Sequence, residues 1–262
     1  LGKFIPGKPK TKKVARDFDD HGAYAAKLEH HENRDKHYEN GCPECVASQR
    51  AASIAREDER KQREAEAHMD KAIERAGITK RFRGKSFANF DVETLPQQRA
   101  LNAIEKYAKN FSDEMENGRS IILHGKTGTG KNHLASALVI DLVTSGYKAI
   151  LIKLFDLVEE VKQTWGDREA SEQQVLNKFK HCALLVIDEV GVQFSSDAEK
   201  LIMFNVLNHR YENVKPTIVI SNYPIDSKKG PSIKGVLGER VVDRLRENGG
   251  SQIPFDWKSH RK

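Results

Sequence analysis

Cysteine, aromatic residues and long apolar runs are all scarce in this chain. Three cysteines in 262 residues are too few for a disulfide framework and point to a reducing interior. No apolar stretch approaches the roughly 18 residues that a membrane span needs. Acid is missing from residues 1–16, which carry six basic residues, and no apolar run follows them to make a secretory signal. Between Val46 and Ala76 there is neither glycine nor proline. These absences argue against export and membrane functions and make a cytoplasmic protein the expectation. Charge is what the chain has in quantity: 44 Lys and Arg against 38 Asp and Glu, net +6. The length suits one large or two modest domains.

The charge is unevenly spread. Residues 1–16, with Pro6, Gly7 and Pro9, read as a basic disordered arm. Residues 17–80 are net acidic, with 11 basic and 15 acidic residues, and residues 81–262 are net basic, with 27 and 23. The stretch from Val46 to Ala76 is rich in Ala, Glu, Arg, Lys and Gln, and runs such as Arg56-Glu57-Asp58-Glu59-Arg60 supply charges for i,i+4 ion pairs along it. That composition predicts a mostly solvated helix, ended by Gly77. From about residue 80 strands and helices alternate. Strands are expected at Ser120 to His124, Lys148 to Leu154, Ala183 to Ile187 and Thr217 to Ser221. Helices are expected at Asn132 to Thr144, Phe155 to Trp165, Ala198 to Tyr211 and Lys234 to Arg246. Such alternation implies an α/β fold, a parallel sheet of about five strands covered by helices.

Gly125-Lys126-Thr127-Gly128-Thr129-Gly130-Lys131-Asn132 matches the P-loop pattern and sits between a strand and a helix. Its backbone N–H groups are expected to curl round a β-phosphate while Lys131 reaches the β/γ oxygens, which implies ATP as ligand. The residue after the lysine is normally Ser or Thr, whose hydroxyl ligates Mg²⁺. Asn132 stands there, offering its amide oxygen to the metal or to a metal-bound water, and suggests slow or switch-like hydrolysis. Leu184-Leu185-Val186-Ile187-Asp188-Glu189 delivers Asp188 at a strand end to hold Mg²⁺, followed by Glu189 to polarise the attacking water. A complete strand, Lys148 to Leu154, separates the two motifs, and the order indicates an ATPase of the additional-strand type. Asn222, after the next strand, is placed to read the γ-phosphate or orient the water; ordinary loop chemistry is the alternative.

At these residues the sequence resembles the DnaC-type replicative helicase loaders, which are AAA+ ATPases. The likeness covers residues 77–262. It rests on Lys85-Ser86-Phe87-Ala88-Asn89-Phe90, the P-loop with its continuation Asn132-His133-Leu134-Ala135, Leu185 to Gln193, Leu237-Gly238-Glu239-Arg240-Val241-Val242-Asp243-Arg244, and Phe255-Asp256-Trp257. Asn after the P-loop lysine is itself typical of the family. The resemblance implies an AAA+ core at 77–262 and ATP bound by Gly125, Thr127, Gly128, Thr129, Gly130, Lys131, Asn132 and His133. It implies self-assembly through the ATP site, with Arg240 as an arginine finger supplied to a neighbour and Arg244 four residues on along the same helical face. Residues 17–76 become a helicase-binding region, with a hexameric replicative helicase and single-stranded DNA as partners. Two alternatives share the core: an IstB-type transposition-helper ATPase, and a non-hydrolysing ATP-gated adaptor.

Cys42-Pro43-Glu44-Cys45 has the two-residue spacing that lets both thiolates face one metal, half of a zinc site. Phage-type relatives carry a Cys-x-x-His-Gly element ahead of Cys-Pro-x-Cys. Here His21-Gly22 matches its second half, but Phe18 stands at the Cys position. The candidate zinc ligands are therefore Cys42, Cys45, His21 and His37, with His30 and His31 also in reach; reduced, unliganded thiols are the alternative.

Overall fold

The computed structural model describes residues 12–16, 24–29, 38–39, 43–166, 171–191 and 196–260, with side chains from Ala47 onward. The chain divides into two compact units, Leu1–His68 and Met69–Lys262.

In the first unit, strands β1 (Lys12–Arg16), β2 (Tyr24–Glu29) and β3 (Tyr38–Glu39) form an antiparallel sheet, with Val14 opposite Ala26 and Leu28 opposite Glu39. The end of the expected disordered arm is thus a strand, and the expected mostly helical region carries a small sheet. Net charge is blind to pairing of this kind. Helix α1 (Pro43–Arg75) follows. Residues 47–56 are exposed along it, as its sparse apolar pattern predicts. Arg60 pairs with Glu57 and Glu64, each at 2.8 Å, and Arg63 with Glu59 at 3.3 Å.

The second unit begins inside that helix. Ala76 and Ile78 are buried with Ile73 packed beside them. The Ala76 carbonyl accepts from the N–H of Leu151 at 2.8 Å. The expected boundary at 76/77 therefore falls too late, because the last turn is stitched to the sheet edge. The sheet contains β4 (Ile121–Gly125), β5 (Ala149–Lys153), β6 (Leu184–Asp188), β7 (Thr217–Ser221) and β8 (Ser251–Phe255). All pair in parallel, in the order β5-β6-β7-β4-β8. Strand β7 is thus the additional strand between the P-loop strand and the acidic strand. The one that intervenes in sequence, β5, lies at the edge.

Alternate residues of each central strand feed opposite faces. Ile121, Leu123, Val186 and Ile220 pack under α2 (Leu95–Lys109) and α4 (Lys131–Thr144). Ile122, Leu185, Ile187 and Val219 pack under α5 (Leu154–Lys162), α6 (Glu172–His181), α7 (Asp197–Glu212) and α9 (Glu239–Arg246). A short α3 (Phe111–Glu116) follows α2. The helix expected from Lys234 to Arg246 is two helices, α8 (Ile233–Leu237) and α9, broken at Gly238 with φ +86°. That conformation suits glycine and re-aims the helix carrying Arg240. Among the described residues no helix is long and apolar enough to cross a membrane.

Candidate nucleotide site

Every functional position foreseen in the second unit except Arg240 and Arg244 lies at the carboxyl edge of the parallel strands, where such sheets open a crevice. The P-loop leaves β4 and enters α4. Lys131 is buried, and its Nζ donates to the carbonyls of Gly125 and Lys126 at 2.8 and 2.7 Å. Thr129 is fully buried, its hydroxyl donating to the Lys126 carbonyl at 2.7 Å. Gly130 has φ +96°, and a Cβ there would meet the Phe90 ring at 2.5 Å, so the segment before α2 closes directly on the loop. His133 lies edge-on to Phe90 at 5.2 Å and donates from Nε2 to the Ser86 carbonyl at 2.9 Å. Burial lowers its pKa.

Asp188 is 4% exposed. One oxygen accepts from Asn132 Nδ2 at 2.5 Å and the other from the Glu189 N–H at 2.7 Å. Burial pushes its carboxyl pKa up, and those two donors pull it back. Glu189 has φ +57°, rare for a residue with a side chain. Its carboxylate reaches Lys153, the last residue of β5, at 3.1 Å. Lys153 is raised in pKa by that partner. Asn222 is exposed after β7 and faces the same cleft as Thr127, Lys131, Asn132 and Glu189. Ser221 beside it is buried, its hydroxyl bonded to the Val190 carbonyl. A carboxylate and an amide oxygen converging on one cleft are the hard oxygen donors that Mg²⁺ prefers, so the residues fit that ion.

Arg240 is exposed on α9, does not line this cleft and makes no hydrogen bond or ion pair among the described residues. Arg244 is held differently: its guanidinium sits 4.6 Å over the Tyr211 ring and donates to Asn208 Oδ1. Lys234, in α8, is tied to Glu239 at 3.0 Å. His21, His37 and Cys42 lie outside the described residues, and Cys45 lies in α1 without a described side chain. Among the described residues no group of three or more His, Cys, Asp or Glu could hold a metal.

Sequence reasoning missed Lys153, whose only signal was its place at a strand end. It also missed the C-terminal contacts on the P-loop. Trp257 Nε1 donates to the Thr129 carbonyl at 3.0 Å, and the His260 N–H donates to the Gly128 carbonyl at 2.9 Å.

The family model described as "IstB-like ATP binding protein" matches residues 46–261. The replicative helicase loader DnaC of Buchnera aphidicola subsp. Baizongia pistaciae is 35% identical over 195 residues, covering 74% of this chain and 76% of the relative. DnaC of Escherichia coli K12 is 35% identical over 193 residues, with the same shares. Among solved structures, a crystal structure of the DnaC helicase loader aligns with a TM-score of 0.58 at 25% identity, covering 67% of this chain and 99% of the other.

Proposed function

This chain belongs to the IstB-like ATP-binding protein family, and on that premise we propose that it is an ATP-hydrolysing loader that places a replicative DNA helicase on single-stranded DNA. The observation that carries the reading is the convergence of Lys131, Asn132, Asp188 and Glu189 on one strand edge, in a chain 35% identical to DnaC loaders. The same relatives favour loading over the transposition-helper role.

In this reading Lys131 and the backbone donors of Gly125 to Gly130 hold the β- and γ-phosphates, beside Thr127 and His133. Asn132 and Asp188 hold Mg²⁺, which when bound neutralises charge building on the phosphates. Glu189 polarises the attacking water, Lys153 fixes the orientation of its carboxylate, and Asn222 orients the same water. Arg240, unpaired on α9 and away from its own cleft, serves the site of a neighbouring copy, so hydrolysis depends on self-assembly. The net basic residues 81–262 grip single-stranded DNA through phosphates, and the region 17–76 grips the helicase. Cys42, Cys45, His21 and His37 hold one zinc in that region.

Mixing tests the ATPase part. Arg240→Ala chains keep their own cleft and Lys131→Ala chains keep the finger, so two variants that are inactive alone should regain turnover when mixed. A mixture as inactive as either variant alone contradicts the shared site. Metal analysis of protein purified without chelator tests the zinc: about one per chain is expected, and an unchanged content in Cys42→Ser/Cys45→Ser contradicts it.

A further inference from the structure

The segment after β8 runs along the outside of the P-loop. The Phe255 carbonyl accepts from the Lys126 N–H at 3.0 Å. Trp257 is half-buried, its indole 4.7 Å from the Phe255 ring, and its Nε1–H donates to the Thr129 carbonyl at 3.0 Å. The His260 N–H donates to the Gly128 carbonyl at 2.9 Å. The His260 ring is held in turn by Gln97 at 3.1 Å. Gln97 Oε1 already accepts from the N–H groups of Glu93 and Thr94, so its amide nitrogen is the donor to His260 Nε2.

These bonds set the direction of the loop's own donors. A trans peptide is planar, with its C=O and N–H pointing opposite ways. Fixing the Thr129 carbonyl outward on Trp257 therefore turns the Gly130 N–H inward. Fixing the Gly128 carbonyl outward on His260 turns the Thr129 N–H inward. Two successive inward N–H groups form an anion-binding nest, and a hydrogen bond to each carbonyl further polarises its peptide. The inner side is consistent: the carbonyls that do point inward, of Gly125 and Lys126, are covered by the Lys131 ammonium.

We propose that Trp257 is a positioning residue for nucleotide binding, bracing the Thr129–Gly130 peptide so that its N–H faces the β-phosphate. The inference rests on the nucleotide reading of the cleft. Trp257 touches no phosphate itself and acts through the loop. By reciprocity, a nucleotide that orders the loop also orders the segment that braces it.

The test uses the full chain. Trp257→Phe keeps the ring against Phe255 and removes only the donor. Its dissociation constant for ADP should rise roughly three- to tenfold, the span of one ordinary hydrogen bond, with turnover at saturating ATP nearly unchanged. In a second arm Trp165→Phe leaves Trp257 as the sole indole, whose emission should shift on adding ADP and stay still when Lys131→Ala is added to that background. This arm holds even if Trp257→Phe folds poorly. ADP affinity in a folded Trp257→Phe equal to wild type, or an indole blind to bound ADP, overturns the inference. If Lys131→Ala binds ADP as wild type does, the nucleotide reading itself fails instead.

Discussion

Asn132, the first residue after the P-loop lysine, donates its amide to Asp188 at the end of β6 over 2.5 Å. The two halves of the nucleotide site, 56 residues apart in the chain, are thereby one hydrogen-bonded unit. A Ser or Thr hydroxyl at this position has one oxygen for both metal and acid. In the proposed site the amide divides the work: its nitrogen holds the carboxylate and its oxygen would remain for the metal or its water. Asn132→Ala should therefore lower stability by about 1–2 kcal/mol, the range for a partly buried bond to a charged acceptor. Urea unfolding checks it, and a change below about 0.3 kcal/mol would mean that the contact contributes nothing.

Asp188→Asn should separate stability from activity. Burial raises the Asp188 pKa, so the native state holds its proton more tightly than the unfolded chain. The resulting penalty is absent below the ordinary carboxylate range and grows as pH rises through the raised native value. The amide variant should match wild type in melting temperature at low pH and equal or exceed it at neutral pH, while losing Mg²⁺-dependent hydrolysis. A neutral-pH melting temperature well below wild type would contradict the assignment.

Glu189→Gln should keep nucleotide affinity and abolish turnover, since it removes the proposed base and preserves shape. It also breaks the ion pair with Lys153. Both partners are about half exposed, so that loss should shift stability by less than about 1 kcal/mol. Binding of a fluorescent ATP analogue, single-turnover hydrolysis and a thermal melt decide among the outcomes. Residual hydrolysis near the wild-type rate removes Glu189 from the mechanism.

Arg210 is fully buried and held by neutral oxygen acceptors. It donates to Thr217 Oγ1 at 3.0 Å and to the carbonyls of Phe179, Cys182 and Pro216 at 2.8, 2.9 and 2.6 Å. It thus ties the entries of β6 and β7, the strands that end at Asp188 and just before Asn222. Arg210→Leu would orphan these acceptors and should cost about 3 kcal/mol or more. Denaturant unfolding tests this, and a loss under about 1 kcal/mol would show that water replaces the guanidinium.

The sheet and its motifs were legible because they depend on local signals. A continuous apolar run such as Leu184 to Ile187 marks a doubly buried strand, and the P-loop glycines sit in fixed positions before Lys131. What escaped depends on distant partners. The edge of β5 receives Ala76 from the end of α1, so the unit begins before Gly77, where composition placed the break. Gly238 splits a run of helical periodicity because its φ is +86°, a value no spacing encodes. Strand β8 contains Pro254 and alternates exposed and buried residues, too short a pattern to stand out. Trp257 and His260 reach the P-loop from more than a hundred residues away in sequence, a contact that only the fold brings about.

ATP-dependent loading is read most directly by helicase transfer onto DNA. The measurement is the amount of the cognate hexameric replicative helicase transferred to circular single-stranded DNA, with ATP or ADP, by wild type and by Lys131→Ala. Wild type should transfer helicase with ATP and little with ADP, and Lys131→Ala should transfer none above background. Equal transfer by wild type and Lys131→Ala, or no capture of the helicase under any nucleotide, would contradict the loading function.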